Sequence, residues 1–167
     1  MSQVDIYLKI DGIPGDSTAV RHEDEIVIVS YQSAVNASRP SISGGGAGVG
    51  KTQFAGIKFR KNIDKASVPL LLACSSGRHL KQASFTFERP GEFPFKFYTV
   101  TLDDVFVSDL AQAVGHPAVA VSEPAGFFEE VTLQFGRIRW VFTSQNADGS
   151  QAPPIEGGWD VEGHEQL

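Results

Sequence analysis

One cysteine, one methionine and a shortage of basic residues set the first limits on this 167-residue chain. Cys74 has no second cysteine with which to close an internal disulfide, which points to folding in a reducing compartment. Lys and Arg number 14 against 20 Asp and Glu, a formal net charge of −6. Binding to a nucleic acid backbone depends on Lys and Arg displacing condensed counterions, so no nucleic acid partner is expected. Lys58, Arg60, Lys61 and Lys65 form the densest basic stretch and the best local exception. No run approaches the roughly 18 apolar residues of a membrane-crossing helix, so no membrane insertion is expected. Met1-Ser2-Gln3-Val4-Asp5 has no basic region leading into an apolar run, and export is expected to bypass an N-terminal signal.

Turn chemistry is abundant, with 17 glycines and 9 prolines. At 41% hydrophobic and 20% charged residues, the composition supports one packed core over residues 1–167. A domain of this length buries roughly 70% of its unfolded surface, so neither metal nor disulfide is needed to hold it.

Alternation supplies the strands. Val4, Ile6, Leu8 and Ile10 face one way, and Asp5, Tyr7 and Lys9 the other. Glu25-Ile26-Val27-Ile28-Val29 through Tyr31 is nearly continuous in apolar residues, which predicts a strand covered on both faces. Phe54, Ile57, Phe59 and Lys61 follow, with Gly56 marking a bulge. Ala83, Phe85 and Phe87, then Lys96 to Leu102, then Val105-Phe106-Val107 continue the pattern. Residues 110–126 read as a long loop. Val131, Leu133 and Phe135, then Ile138, Trp140 and Phe142, and last Gly158-Trp159-Asp160-Val161 complete the set. One helix is expected over Leu70-Leu71-Leu72-Ala73, capped by Asp64 or Ser67, with Pro69 in its first turn and Gly77 at its end. Eight or nine strands without a strand–helix rhythm predict a mainly β, antiparallel barrel or sandwich.

Between these elements runs Ser38-Arg39-Pro40-Ser41-Ile42-Ser43-Gly44-Gly45-Gly46-Ala47-Gly48-Val49-Gly50-Lys51-Thr52, with no apolar period. Gly45 to Thr52 matches the nucleotide-binding P-loop pattern. A P-loop needs a buried strand before it and a helix N-terminus after it to point N–H groups at phosphates. The flanks here are Arg39-Pro40-Ser41 and the strand-like Gln53-Phe54-Ala55-Gly56-Ile57, so nucleotide binding is the alternative reading. The favoured one is an extended loop outside the core, completed by a neighbouring subunit. Other chemical candidates are isolated. Cys74 is expected to pack as a small apolar residue beside an unrelated His79, and His22 to lie on a solvated face with Glu23, Asp24 and Glu25. His116 and His164 stand alone, and Asp103-Asp104 and Glu129-Glu130 are expected to keep strand edges soluble. No catalytic set, metal site or cofactor is expected.

Taken together, several stretches resemble the haemolysin-coregulated protein (Hcp) family, which builds the inner tube of bacterial type VI secretion systems. They are Asp5-Ile6-Tyr7-Leu8-Lys9-Ile10, Phe59-Arg60-Lys61-Asn62-Ile63-Asp64-Lys65, Pro69 through His79, Glu130-Val131-Thr132-Leu133-Gln134-Phe135, Ala147-Asp148-Gly149 and Gly158-Trp159-Asp160-Val161. The resemblance implies a β-barrel with one helix, hexameric rings stacked into a tube, and secreted effectors carried in the ring lumen. It also implies a spike partner of the valine-glycine-repeat family and an enclosing contractile sheath. Ser38–Thr52 matches the family's extended loop to the adjacent subunit or ring, and Gln32 a position facing the lumen. Glu92-Phe93-Pro94-Phe95 and Pro117-Ala118-Val119-Ala120-Val121 depart from the family pattern. The chain is expected to carry no fused toxin domain after Val161.

Overall fold

Residues that alternate in polarity become strands with one buried face. In the computed structural model, which describes residues 3–37, 52–115 and 126–167, β1 (Asp5–Ile10) buries Leu8 and Ile10 and turns Lys9 outward. A single bend at Val29 divides the next run into β2 (Ile26–Ile28) and β3 (Ser30–Ala37). Its apolar sequence predicts cover on both faces, but only one is covered. Ile26 and Ile28 are buried, while Val27 and Val29 are 49% and 45% exposed. Their β-branched side chains suit a strand without being needed in a core.

The remaining elements are β4 (Thr52–Asn62), α1 (Ser67–Ser76), β5 (Leu80–Arg89), β6 (Phe95–Gly115), β7 (Gly126–Phe142), β8 (Ile155–Asp160) and β9 (Glu165–Gln166). All pairings are antiparallel, in the order β2-β1-β5-β6-β7-β4-β3. The second edge of β7 is shared: β4 takes Phe128–Leu133, and β8 takes Arg137–Phe142. Among the described residues no ladder joins β2 to β3, so the hydrogen-bonded path is open. The chain itself bridges its ends through Val29, whose N–H donates to Arg60 O at 2.8 Å.

That bridge rolls the sheet into a barrel. Tyr31 of β3 reaches Phe85 and Phe87 of β5 at 5.1 and 5.0 Å between ring centroids, although three strands separate β3 from β5 along the path. Phe59, Phe85, Val100, Leu102, Leu133 and Ile138 fill the interior at 1% exposure or less. Burial pushes the Tyr31 phenol up to about 12.

Of the loop expected over 110–126, the described residues 110–115 and 126 are strand: β6 runs on to Gly115 and β7 begins at Gly126, paired with each other. Residues 116–125 lie outside the described part. The apparent break inside each strand also has a structural cause. Inward positions in β6 change from Val100 and Leu102 to Val105 and Val107, and in β7 from Phe135 to Ile138. Both changes fall at one level, where Asp104 (φ 52°) faces Gly136 and the register stays intact. Gly56 does form a bulge. Its φ is +80°, and Ala34 faces the two residues Ala55 and Gly56.

Helix α1 packs against β6 and buries Ser67, Leu70 and Ala73 along one stripe. Burying Leu70 fully contributes on the order of 2 kcal/mol. Gly77 (φ 63°, ψ 27°) ends the helix in the left-handed conformation, and Arg78 N–H returns to Ala73 O at 3.1 Å. The start differs from expectation. Ala66 takes the capping position without a side-chain cap, Asp64 Oδ1 accepts from Ala66 N–H, and Ser67 is drawn into a buried network.

Candidate functional site

The outer half of β4 leaves the body of the sheet. Its inner half, Ile57–Asn62, pairs with β7, but Thr52–Phe54 pairs with β3 alone, through Ala37↔Thr52, Asn36↔Gln53 and Val35↔Phe54. Along β3 every residue is exposed except half-buried Tyr31, and Val35 is 49% exposed. A two-stranded ribbon therefore projects with both faces wet and β3's far edge unpaired among the described residues. The Phe54 ring holds the ribbon base, 5.7 Å from Phe135 and 6.4 Å from Trp140. Gln32 is exposed on β3 opposite Lys58, beside a shallow cavity of about 240 Å³.

Ser38 to Lys51 lie outside the described residues; Ala37 and Thr52, which precede and follow them in the chain, pair at the outer end of the ribbon. Thr52 opens a strand and not a helix. The nucleotide reading consequently lacks the helix N-terminus on which phosphate binding depends.

A second projection is the far end of the β6–β7 hairpin. β4 stops at Asn62, opposite Phe128, and beyond it Val114↔Phe127 pair with 71% and 61% exposure. On α1, Val68 and Leu72 stand one turn apart, each 63% exposed. Exposed apolar groups at both places are candidates that the sequence did not single out.

Beneath them lies a buried polar network. Lys61 Nζ donates to Glu129 Oε2 at 2.6 Å, and both side chains are fully buried. It also reaches Asp64 Oδ1 at 2.8 Å, Asn62 O at 2.8 Å and Ser67 Oγ at 3.1 Å. Ser67 Oγ donates to Glu129 Oε2 at 2.8 Å, and Gln112 Nε2 donates to Glu129 Oε1 at 2.6 Å. Burial pushes the Glu129 carboxyl up, but the bonds from Lys61, Gln112 and Ser67 outweigh it and leave the group below its ordinary value. The network ties β4, the start of α1, β6 and β7 together where the hairpin leaves the sheet. Glu129 was expected on a soluble edge; it is a core residue.

The basic stretch is spent on ion pairs. Lys58 and Arg60 share Glu130 at 3.4 and 3.6 Å, Arg60 lies over the Phe128 ring at 4.7 Å, and Lys65 meets Asp24 at 2.6 Å. His22 is likewise not solvated. It is buried, stacked on Tyr7 at 4.1 Å, with Nδ1 2.7 Å from Glu25 Oε2. The covering turn, residues 19–22, has no period that would reveal this. Cys74 is half-buried against the core, as expected, while His79 is exposed and lies 5.8 Å from the Phe106 ring. Asp103 binds Gln82 and Arg139.

A sequence model of the family described as "Type VI secretion system effector, Hcp" matches residues 7–142. The chain belongs to the Hcp family. It is 31% identical over 160 residues to Protein hcp1 of Pseudomonas aeruginosa, a match covering 95% of each chain. Its fold is similar to the crystal structure of Hcp1 from Salmonella typhimurium, with a TM-score of 0.75, 24% identity and full cover of both chains. A structure described as a type six secretion system protein gives a TM-score of 0.84 at 20% identity, covering 99% of this chain and 100% of that one. The Hcp assignment makes this a β-rich tube protein of type VI secretion, from a family of secreted structural proteins. The most specific Hcp-like stretch, Phe59–Lys65 followed by Pro69–His79, folds into the end of β4, the Lys61 network and α1.

Proposed function

We propose that this Hcp chain is the ring-forming subunit of a bacterial type VI secretion tube. Six copies close a head-to-tail ring by rotation, and rings stack through Ser38–Thr52. The observation that supports this best is the β3–β4 ribbon. An exposed strand with an unpaired edge offers a row of N–H and C=O groups that another chain satisfies by strand addition. Ala37 and Thr52, the residues that flank the segment in the chain, pair at the outer end of that ribbon, which supports a reach toward a neighbour. Secreted effectors bind in the ring lumen, which Gln32 faces. The tube leaves the cytoplasm without a signal peptide, capped by a valine-glycine-repeat spike and driven by a contractile sheath. The chain contributes no catalytic group, metal or cofactor.

Light scattering tests the first step. The expected mass is about six times the 18.0 kDa of one chain, with ring-shaped particles under negative stain. Deleting Gly44–Gly50 is expected to leave rings that stack poorly. A monomer at high concentration would overturn the reading, as would tubes of wild-type length from the deletion variant.

A further inference from the structure

Glu129 sits where the covered part of the β6–β7 ladder ends. Along the inward face of β7 run Leu133, Val131, Glu129 and Phe127; the first three are fully buried and Phe127 is exposed. Opposite them on β6, Leu110 is half-buried, and Val114 is exposed beyond Gln112. Core-facing apolar residues therefore continue past the last strand that covers them. β4 ends at Asn62, opposite Phe128, and the β5 ladder on β6 ends at Val105. Beyond the bond from Ile63 N–H to Phe127 O at 3.3 Å, the described ladder pairs only with itself, as far as Gly115↔Gly126. Two strands alone have little rigidity, so the direction of this outer part is set at its root.

That root is one carboxylate. Glu129 Oε1 accepts from Gln112 Nε2 on the outer ladder at 2.6 Å, and Oε2 accepts from Lys61 Nζ at 2.6 Å and Ser67 Oγ at 2.8 Å. Ser67 opens α1, and the next residue, Val68, is exposed, with Leu72 exposed one turn on. Two uncovered apolar surfaces, one on the ladder and one on the helix, thus hang from the same buried group. Stability alone does not account for it, because apolar residues of similar volume commonly match or exceed a buried ion pair. What apolar packing lacks is direction. Both oxygens of Glu129 are bonded, and a satisfied network holds the elements it joins in one arrangement.

We propose that Glu129, with Lys61, Ser67 and Gln112 as its donors, positions the outer β6–β7 ladder and α1 for ring closure against a second copy of this chain. The inference rests on the ring reading above and adds which residues set the closing angle. In a head-to-tail ring of six, each copy is turned by about 60° from the last. An error in that angle recurs at every interface, and the same contact then winds into an open helix instead of a ring. Elements that meet the neighbour must leave the barrel in one fixed direction, which bonds at their root provide.

The test compares the full-length wild type with Lys61→Met/Glu129→Leu, Gln112→Met and Val100→Ala at one protein concentration. Urea unfolding ranks their stability, and light scattering with negative stain counts closed rings. Val100 is fully buried in the barrel away from the network, so Val100→Ala lowers stability through a cavity and is expected to keep its rings. The double variant is expected to be at least as stable as Val100→Ala and yet to lose closed rings, giving open or smaller assemblies. Gln112 is exposed, so Gln112→Met stays folded and carries the test even where the double variant does not fold; it too is expected to lose closed rings. Closed rings in wild-type proportion from Gln112→Met and the double variant would overturn the inference alone. Equal loss in Val100→Ala would also overturn it, since ring loss would then follow stability. A wild type that stays a single chain would overturn the ring reading and this inference with it.

Discussion

Replacing Lys61 by Met tests whether the buried network holds the base of the hairpin. The substitution keeps the length of the side chain and removes its charge. It strands Glu129, fully buried, and Asp64, whose side chain is 11% exposed. Breaking a buried pair from one side costs about 3–5 kcal/mol, because the remaining charge keeps its desolvation penalty. Ser67 and Gln112 still donate to Glu129 and soften the loss, while Asp64 adds to it. A net loss of about 4 kcal/mol is expected. For a domain of this length that corresponds to a fall in Tm of about 8–16 °C. Lys61→Met/Glu129→Leu removes both buried charges and is expected to recover most of the loss. Thermal and urea unfolding followed by circular dichroism, at one fixed protein concentration, measure all three proteins, since assembly makes Tm depend on concentration. A Lys61→Met variant within about 1 kcal/mol of wild type, or a double variant no better than the single, would refute the reasoning.

Acid should expose the same chemistry elsewhere. Asp103 is raised by burial but brought below its ordinary value by bonds from Gln82 and Arg139. The unfolded chain therefore takes up this proton first as pH falls. Its stabilisation is present above about pH 4 and lost as pH drops through the lowered folded value. Urea midpoints measured across that window should fall less steeply in Asp103→Asn than in wild type. Gly56→Val places a Cβ 2.9 Å from Leu133 O at φ +80°, and a loss of about 2 kcal/mol or more is expected in urea unfolding. Val114→Asp/Phe127→Asp is expected to reduce the mass measured by light scattering while the far-ultraviolet circular dichroism spectrum stays that of the folded chain, because both residues are exposed.

Most strands and the helix were legible because alternation and glycine placement act locally. Leu8, Phe85 and Leu133 fall inward as their patterns require, and Gly77 stops the helix. The network was half visible. Lys61 shares its inward register with Ile57 and Phe59, and Glu129 shares that of Val131 and Leu133, so each needed a buried partner of opposite charge. Nothing in either stretch alone names that partner, because 68 residues separate them. The pairing exists once β4 and β7 lie side by side. Residues 110–115 were misread for a different reason. Ala111, Gln112 and Ala113 carry no alternation, since residues 111–114 of β6 are exposed whichever way they face. A strand without a buried face has no pattern to show. The burial of His22 failed to appear for a third reason: a turn folded back over a sheet leaves no period in its sequence.

The aromatic and aliphatic side chains that meet inside the barrel have one further consequence. A subunit filled to its axis by Phe59, Phe85, Val100 and Leu133 has no bore of its own. Any passage such a protein offers must be bounded by the outer walls of several copies. Its width is then set by how many subunits sit around the circle, and its lining by side chains that are solvent-facing in the isolated chain.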